Sequence, residues 1–307
     1  MNSKTNKETT LEAWFDALIG RLEQQGKFAT SRNYRKTLES LQMFTKTDTI
    51  RLSEISEMVV GEYDDFLIGR GVCRNSRSFY IRVLRAACNK AAKDGYQSPD
   101  NGVFDHVFTG VDETRKRALN TVILKRIANL DLSDDWEMEL SRDLFLFSFY
   151  ARGMCFVDMA HLSQDNIQNG IITYIRSKTG QSLSLQMEPC MELIIRKWER
   201  RTWGKMIFPI LDQTGTKASY ERYQYRLCRH NLMLKEIGRR VEAPFPLSSY
   251  AARHSWATTA RDLNIPLSVI SSGMGHSSER TTRVYLAQLD NNKIDMANRR
   301  VINLLLG

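Results

Sequence analysis

The chain has 307 residues, 42% of them hydrophobic and 26% charged, which is enough length for two domains with separate cores and a globular rather than a disordered or fibrous composition. Its formal net charge of +9 points to a polyanionic partner, and the excess is uneven: +2 over residues 1–105 and +7 over the remainder. The five cysteines (Cys73, Cys88, Cys155, Cys190, Cys228) are odd in number and lack CxxC spacing, which argues against disulfides and a zinc site, and no apolar run approaches the ~18 residues of a membrane span.

The expectation is therefore a cytoplasmic protein with no signal peptide and no membrane anchor. Leu11, Trp14, Phe15, Leu18 and Leu22 recur at helical spacing and predict a first helix. Thr30 or Ser31 is placed to cap a second, carrying Tyr34, Leu38, Leu41 and Phe44. A third is expected from about Ser53 to Gly69. A fourth, capped by Asn75 or Ser76, turns Phe79, Val83, Leu84, Ala87 and Ala91 inward and stops at Lys93-Asp94-Gly95. Arg32, Arg35, Lys36, Arg74, Arg77 and Arg82 gather near the starts of the second and fourth helices. Arginines beside helix N-termini suit phosphate contacts; a solvated helix face is the competing reading.

From Ser98 to Ala118 the helical period lapses, ending in the basic triplet Arg115-Lys116-Arg117. This sets the expected division: a helical domain over 1–105, a basic linker over 106–118 and a second domain over 119–307. In the second domain a helix is predicted at about 136–154. Gln168-Asn169-Gly170 is a type I′ hairpin turn leading into Ile171–Ile175, and Lys178-Thr179-Gly180 turns into Leu183-Ser184-Leu185. Further helices are expected at about 188–201, 217–237, 248–263, 266–274 and 290–305. The fold class is thus mainly α: an all-helical N-terminal domain, then a mostly helical domain with a small three-stranded antiparallel sheet. On the helix over 217–237, Arg222, Arg226 and Arg229 fall at i, i+4 and i+7, a face for a DNA groove or simply for solvent.

Arg253, His276 and Tyr285 follow one another 23 and 9 positions apart. A guanidinium is a planar, permanently charged fork for two phosphate oxygens. An imidazole donates a hydrogen bond or moves a proton near neutrality, and a phenol is able to form a covalent intermediate. Taken singly, Tyr285 reads as an ordinary core or surface residue, His276 as a helix C-cap, and Arg253 as a buried cation in need of a partner.

The motifs around them resemble those of the tyrosine recombinases, or phage-type integrases. Arg253-His254-Ser255-Trp256-Ala257-Thr258 is similar to that family's R-H-[ST]-[FW]-A-T, Met274-Gly275-His276-Ser277-Ser278 to its L-G-H-[SA]-S, and Thr281-Thr282-Arg283-Val284-Tyr285 to its T-T-x-x-Y. The resemblance implies a site-specific recombinase acting on double-stranded DNA at a specific target, as a tetramer on DNA, without metal or cofactor. Tyr285 would attack the scissile phosphate to give a 3′-phosphotyrosyl bond and release a 5′-hydroxyl. Arg253 and His276 would stabilise charge on the non-bridging oxygens, and Lys178 would match the hairpin lysine that protonates the leaving oxygen. The apolar segment from Ile294 to Leu306 would dock on a neighbouring protomer.

Two positions depart from the family's pattern. Tyr250 stands where a histidine is usual, three residues before Arg253, and a phenol offers a hydrogen bond without titrating near neutrality. The family's first arginine, in a pattern like G-[LM]-R-x-x-[ED], meets Cys155 here when aligned on Asp158. Arg152, displaced by three residues, is one candidate replacement. Arg176 is the preferred one, since two positions along a strand place it on the same face as Lys178. Alternative functions are a type IB topoisomerase-like enzyme and a DNA-binding regulator that has lost catalysis.

Overall fold

Twelve α-helices and one small sheet make up the described residues of the computed structural model, which are 7–46, 49–112, 117–276, 278–283 and 298. The chain divides into two units, one comprising residues 1–114 with 215–220 and the other 115–214 with 221–307. Tyr285, Arg115, Lys116, the helix expected at 290–305 and the apolar segment from Ile294 lie outside the described residues.

The first unit is built on α1 (Leu11–Gln24), α2 (Phe28–Thr45), α3 (Glu57–Gly69) and α4 (Arg74–Lys93). Their apolar stripes converge on Phe15, Leu52, Tyr63, Leu67, Ile81 and Phe104, all fully buried. Each such side chain contributes about 1.5–3 kcal/mol relative to exposure. The polar tips of the buried aromatics are satisfied: Trp14 Nε1 donates to the Ala87 carbonyl at 2.9 Å and Tyr63 to Ser40 Oγ at 2.8 Å. Two expected caps are corrected. α2 begins at Phe28 after Lys27, and Ser31 is buried inside its first turn, bonded to Glu23. α4 begins after Cys73; Asn75 instead brackets the Asp112 backbone, taking its N–H at 2.7 Å and donating to its carbonyl at 3.1 Å. A tertiary partner won over the local capping role in both places.

The second unit contains α5 (Thr121–Ala128), α6 (Trp136–Tyr150), α7 (Phe156–Ala160), α8 (Pro189–Trp198), α9 (Lys217–Arg240, from residue 221 onward), α10 (Ser249–Asp262), α11 (Leu267–Gly273) and α12 (Glu279–Arg283). Ile127, Leu132, Phe147, Phe208, Leu234 and Leu247 lie at the centre of its core. The buried carboxylate of Asp143 on α6 is fully engaged, accepting from Lys197 Nζ at 2.7 Å, Trp198 Nε1 at 2.9 Å and Arg142 Nε at 2.9 Å. That network ties α6 to α8.

Strands β1 (Ile167–Gln168), β2 (Ile171–Ile175) and β3 (Ser182–Gln186) form an antiparallel meander in the order β1-β2-β3. Gln168 pairs with Ile171 across Asn169 (φ 50°) and Gly170 (φ 72°), the doubly left-handed geometry of a type I′ turn. Ile175 pairs with Ser182, so residues 176–181 form the second turn.

Two local expectations fail near the site. The helix expected to reach residue 154 ends at Tyr150, and Arg152 (φ 58°) and Gly153 (φ 75°) are left-handed. A Cβ on Gly153 would lie 2.7 Å from Arg253 Cγ, so the chain must break here with a glycine for α10 to approach. Arg176 is not on a strand. It opens the turn, its N–H bonded to the Gln181 carbonyl at 2.9 Å, with its side chain buried while Lys178 is exposed.

Candidate active site

The site begins with small residues. Ala251, Ala252 and Ala257 on α10 are buried, and their short side chains let that helix pack closely on its neighbours. Arg253 shares the buried face and is only 3% exposed. A buried guanidinium is tolerable only with compensating partners. Nη1 donates to the Gly153 carbonyl at 2.7 Å, and Nη2 donates to the Met274 carbonyl at 2.6 Å and meets His276 Nε2 at 2.9 Å.

His276 follows α11 through a left-handed Gly275 (φ 64°), its backbone N–H returning to the Ser271 carbonyl at 3.0 Å. The ring is 7% exposed. It bonds Arg253 on one side and Thr282 Oγ1, at 2.8 Å from Nδ1, on the other. The hairpin closes over the same turn. Arg176, 3% exposed, donates from Nη1 to the Gly275 carbonyl at 2.5 Å. A Cβ at Gly275 would lie 2.7 Å from Leu183 Cδ1, so the left-handed glycine is needed for contact as well as for conformation. The Ser177 N–H, next to Lys178, donates to the buried Asp158 carboxylate at 2.9 Å.

The electrostatic result is one-sided. Burial, followed by the charges of Arg253, Arg176 and Lys178, lowers the His276 pKa to about 3, so the ring is neutral near pH 7. Burial, reinforced by Asp158, pushes the Tyr174 phenol upward. Arg253, Arg176 and Lys178 surround a neutral imidazole, and main-chain carbonyls accept from the two buried guanidiniums. Even with the Asp158 carboxylate at the hairpin turn, positive charge predominates, which suits an oxyanion.

The structure thus brings Arg253, His276, Arg176 and Lys178 together. Arg152 is half-buried and donates from Nη1 to the Ser184 carbonyl at 3.4 Å; its charge is not among those acting on His276. Tyr250 is 51% exposed in the first turn of α10 and lines a shallow cleft with Cys155, Tyr223 and Arg253. The row on α9 is engaged: Arg222 pairs with Asp212 at 2.7 Å, while Arg226 (3.8 Å) and Arg229 both pair with Glu137. In the first unit Arg32 is exposed, Arg35 pairs with Glu23 at 2.7 Å, and Arg77 pairs with Asp64 at 2.7 Å in a half-buried bridge. Sequence reasoning missed Thr282 as a partner of His276 and Asp158 as the anchor of the hairpin turn. The only signals were their places inside the Thr-Thr-x-x-Tyr stretch and at the acidic position after Cys155.

Comparisons with known proteins bear on the family and the fold. A profile of the phage integrase SAM-like domain matches residues 10–102, and a profile of the phage integrase family matches residues 125–292. The solved lambda integrase tetramer bound to a Holliday junction is similar with a TM-score of 0.65 and 17% identity, over 92% of this chain and 79% of that one. The Tn1549 transposon integrase in complex with transposon right end DNA is similar with a TM-score of 0.65 and 15% identity, over 96% of this chain and all of that one. Identities this low carry the fold alone. A search of curated proteins finds no match.

Proposed function

The chain belongs to the phage integrase family, and from that premise we propose that it is a site-specific recombinase, cleaving and rejoining double-stranded DNA through a phosphotyrosyl intermediate. The observation that carries the reading is the buried Arg253–His276 pair with Arg176 and Lys178 around it. Tyr285 passes its phenolic proton to Nε2 of the neutral His276 as its oxygen bonds to phosphorus; the bond from phosphorus to the 5′-oxygen breaks, and Lys178 protonates the departing oxygen. Arg253, His276 and Arg176 hold the non-bridging oxygens as charge grows on them. Tyr250 lends a hydrogen bond from the rim. Three protein cations perform the neutralisation that metal ions perform in other phosphoryl transfers, so the reaction runs without metal.

In this reading residues 1–105 form a DNA core-binding domain, 106–118 a basic linker against phosphates, and 119–307 the catalytic domain. Arg32, Arg35, Arg77, Arg115, Lys116 and the α9 row make backbone contacts. The similar lambda integrase is solved as a tetramer on a Holliday junction, which supports a homotetramer on DNA here, with the segment from Ile294 as its connector, in the cytoplasm where the DNA lies.

The test is incubation with nicked duplexes spanning the junctions of the element that carries the gene, with EDTA present, followed by denaturing electrophoresis. A covalent adduct that disappears in Tyr285→Phe is the expected result. An adduct that persists in that variant, or none on any genomic fragment, overturns the reading.

A further inference from the structure

Thr282 sits on α12, fully buried and three positions before Tyr285. Its hydroxyl lies 2.8 Å from His276 Nδ1, and Arg253 Nη2 lies 2.9 Å from His276 Nε2. A guanidinium offers donors and no acceptor. Beside a neutral ring, the Arg253 contact is therefore a bond only if Nε2 carries the lone pair. A neutral imidazole has one N–H, which then falls on Nδ1, pointed at Thr282 Oγ1. The charged side chains facing the ring are Arg253 from α10 and Arg176 and Lys178 from the β2–β3 hairpin. Burial and then these cations keep the ring neutral, while Arg253 bonds Nε2 and Thr282 bonds Nδ1.

We propose that Thr282 is a positioning residue for His276: its hydroxyl accepts the Nδ1–H and locks the imidazole in the tautomer whose Nε2 faces Arg253 and the incoming phosphate. The proposal deepens the recombinase reading and rests on it for its functional consequence. When a phosphodiester oxygen takes over the Arg253 fork, Nε2 is the atom released to take the Tyr285 proton and donate to the phosphate, while Nδ1–H stays on Thr282. Without the hydroxyl, the other tautomer sets a ring N–H against a guanidinium N–H, two donors with nothing between them, and Nε2 loses its aim. Three positions separate the residue that orients the imidazole from the nucleophile, within one Thr-Thr-x-x-Tyr motif.

The tautomer is read by long-range ¹H–¹⁵N spectra of the DNA-free protein, with His276 assigned by its absence from His276→Asn. The wild type and Thr282→Ser are expected to show the Nδ1–H pattern, and Thr282→Val, of the same shape but without the acceptor, a mixed or Nε2–H pattern. Adduct formation on the nicked substrate is expected to slow by about tenfold or more in Thr282→Val, the equivalent of losing one hydrogen bond of some 1.4 kcal/mol, and to stay within about threefold of wild type in Thr282→Ser. A wild-type ring in the Nε2–H form overturns the inference without any variant. So does a folded Thr282→Val that keeps both the Nδ1–H pattern and the wild-type rate. Failure of the wild type to form an adduct would sink the recombinase reading instead, leaving the tautomer result standing.

Discussion

At the scale of single residues, Arg152 and Arg176 are the two candidates to complete the proposed phosphate grip. Arg176 already points into the site, bonded to the Gly275 carbonyl at 2.5 Å, and its charge acts on His276. Arg152, in a left-handed backbone conformation, donates to the Ser184 carbonyl at 3.4 Å and passes beside Gly273 at the end of α11. An arriving phosphate has only to draw Arg176 from a carbonyl. Replacing it with alanine should remove a preorganised transition-state donor, costing about 10²–10³-fold in single-turnover cleavage, whereas Arg152→Ala should stay within severalfold of wild type. The opposite ranking would return the role to Arg152. Arg253, His276 and Lys178 were legible as candidates through the motifs around them; that they lie together came only from the fold. Arg176 was legible as a candidate for the wrong geometric reason: it shares no strand face with Lys178, and burial at the base of the turn is what brings it in.

At the scale of elements, α9 and α6 meet through a shared carboxylate. Glu137 lies in the first turn of α6, and Arg226 and Arg229 of α9 both pair with it. The i, i+4, i+7 spacing announced a basic face but not its occupant, because the partner lies more than eighty residues away in sequence. To touch DNA these arginines must leave Glu137. A part-exposed pair of this kind is worth about 1 kcal/mol or less, so Glu137→Gln should tighten DNA binding by up to about fivefold and steepen its salt dependence. Filter binding across a salt series measures both. Unchanged or weaker binding by the folded variant would make the arginine row scaffold rather than DNA contact. The early end of α6 has the same kind of cause: apolar periodicity continued to residue 154, and the approach of Arg253 to Gly153 stopped the helix.

At the scale of the whole molecule, two buried histidines link stability to acid. His230 on α9 is 3% exposed and stacks on Phe156 at 4.6 Å, and burial lowers its pKa to about 3. His276 is lowered to about 3 as well, by burial and then by its cationic neighbours. Both folded values lie below the unfolded value near 6.5. The unfolded chain therefore binds more protons between pH 6.5 and 3, and stability falls as pH drops through that window. Each histidine contributes a loss approaching 1.4 kcal/mol per pH unit, or about 2 kcal/mol by pH 5. The lowered carboxyls of Glu23 and Glu236 act only below their ordinary value of 4.5, so pH 5 to 6.5 isolates the imidazoles. Urea melts at pH 7.5 and 5 should show His230→Phe losing about half as much stability on acidification as wild type. An equal loss would mean that His230 does not carry its share.

Sequence alone determined the helical class, the three-stranded sheet with its Asn169-Gly170 turn, and, through its motifs, the family. Each depends on short-range signals: apolar period, turn conformers available to few residue types, and side chains with the right nucleophile, fork or proton. Tertiary structure decided which arginine enters the pocket, that Thr282 partners His276, that Asp158 anchors the hairpin, and that Glu137 occupies the α9 arginines. Those outcomes join residues from different elements. Burial sets which charges meet there, since a charge removed from water takes whatever partner lies within reach, and sequence distance says nothing about which one that is.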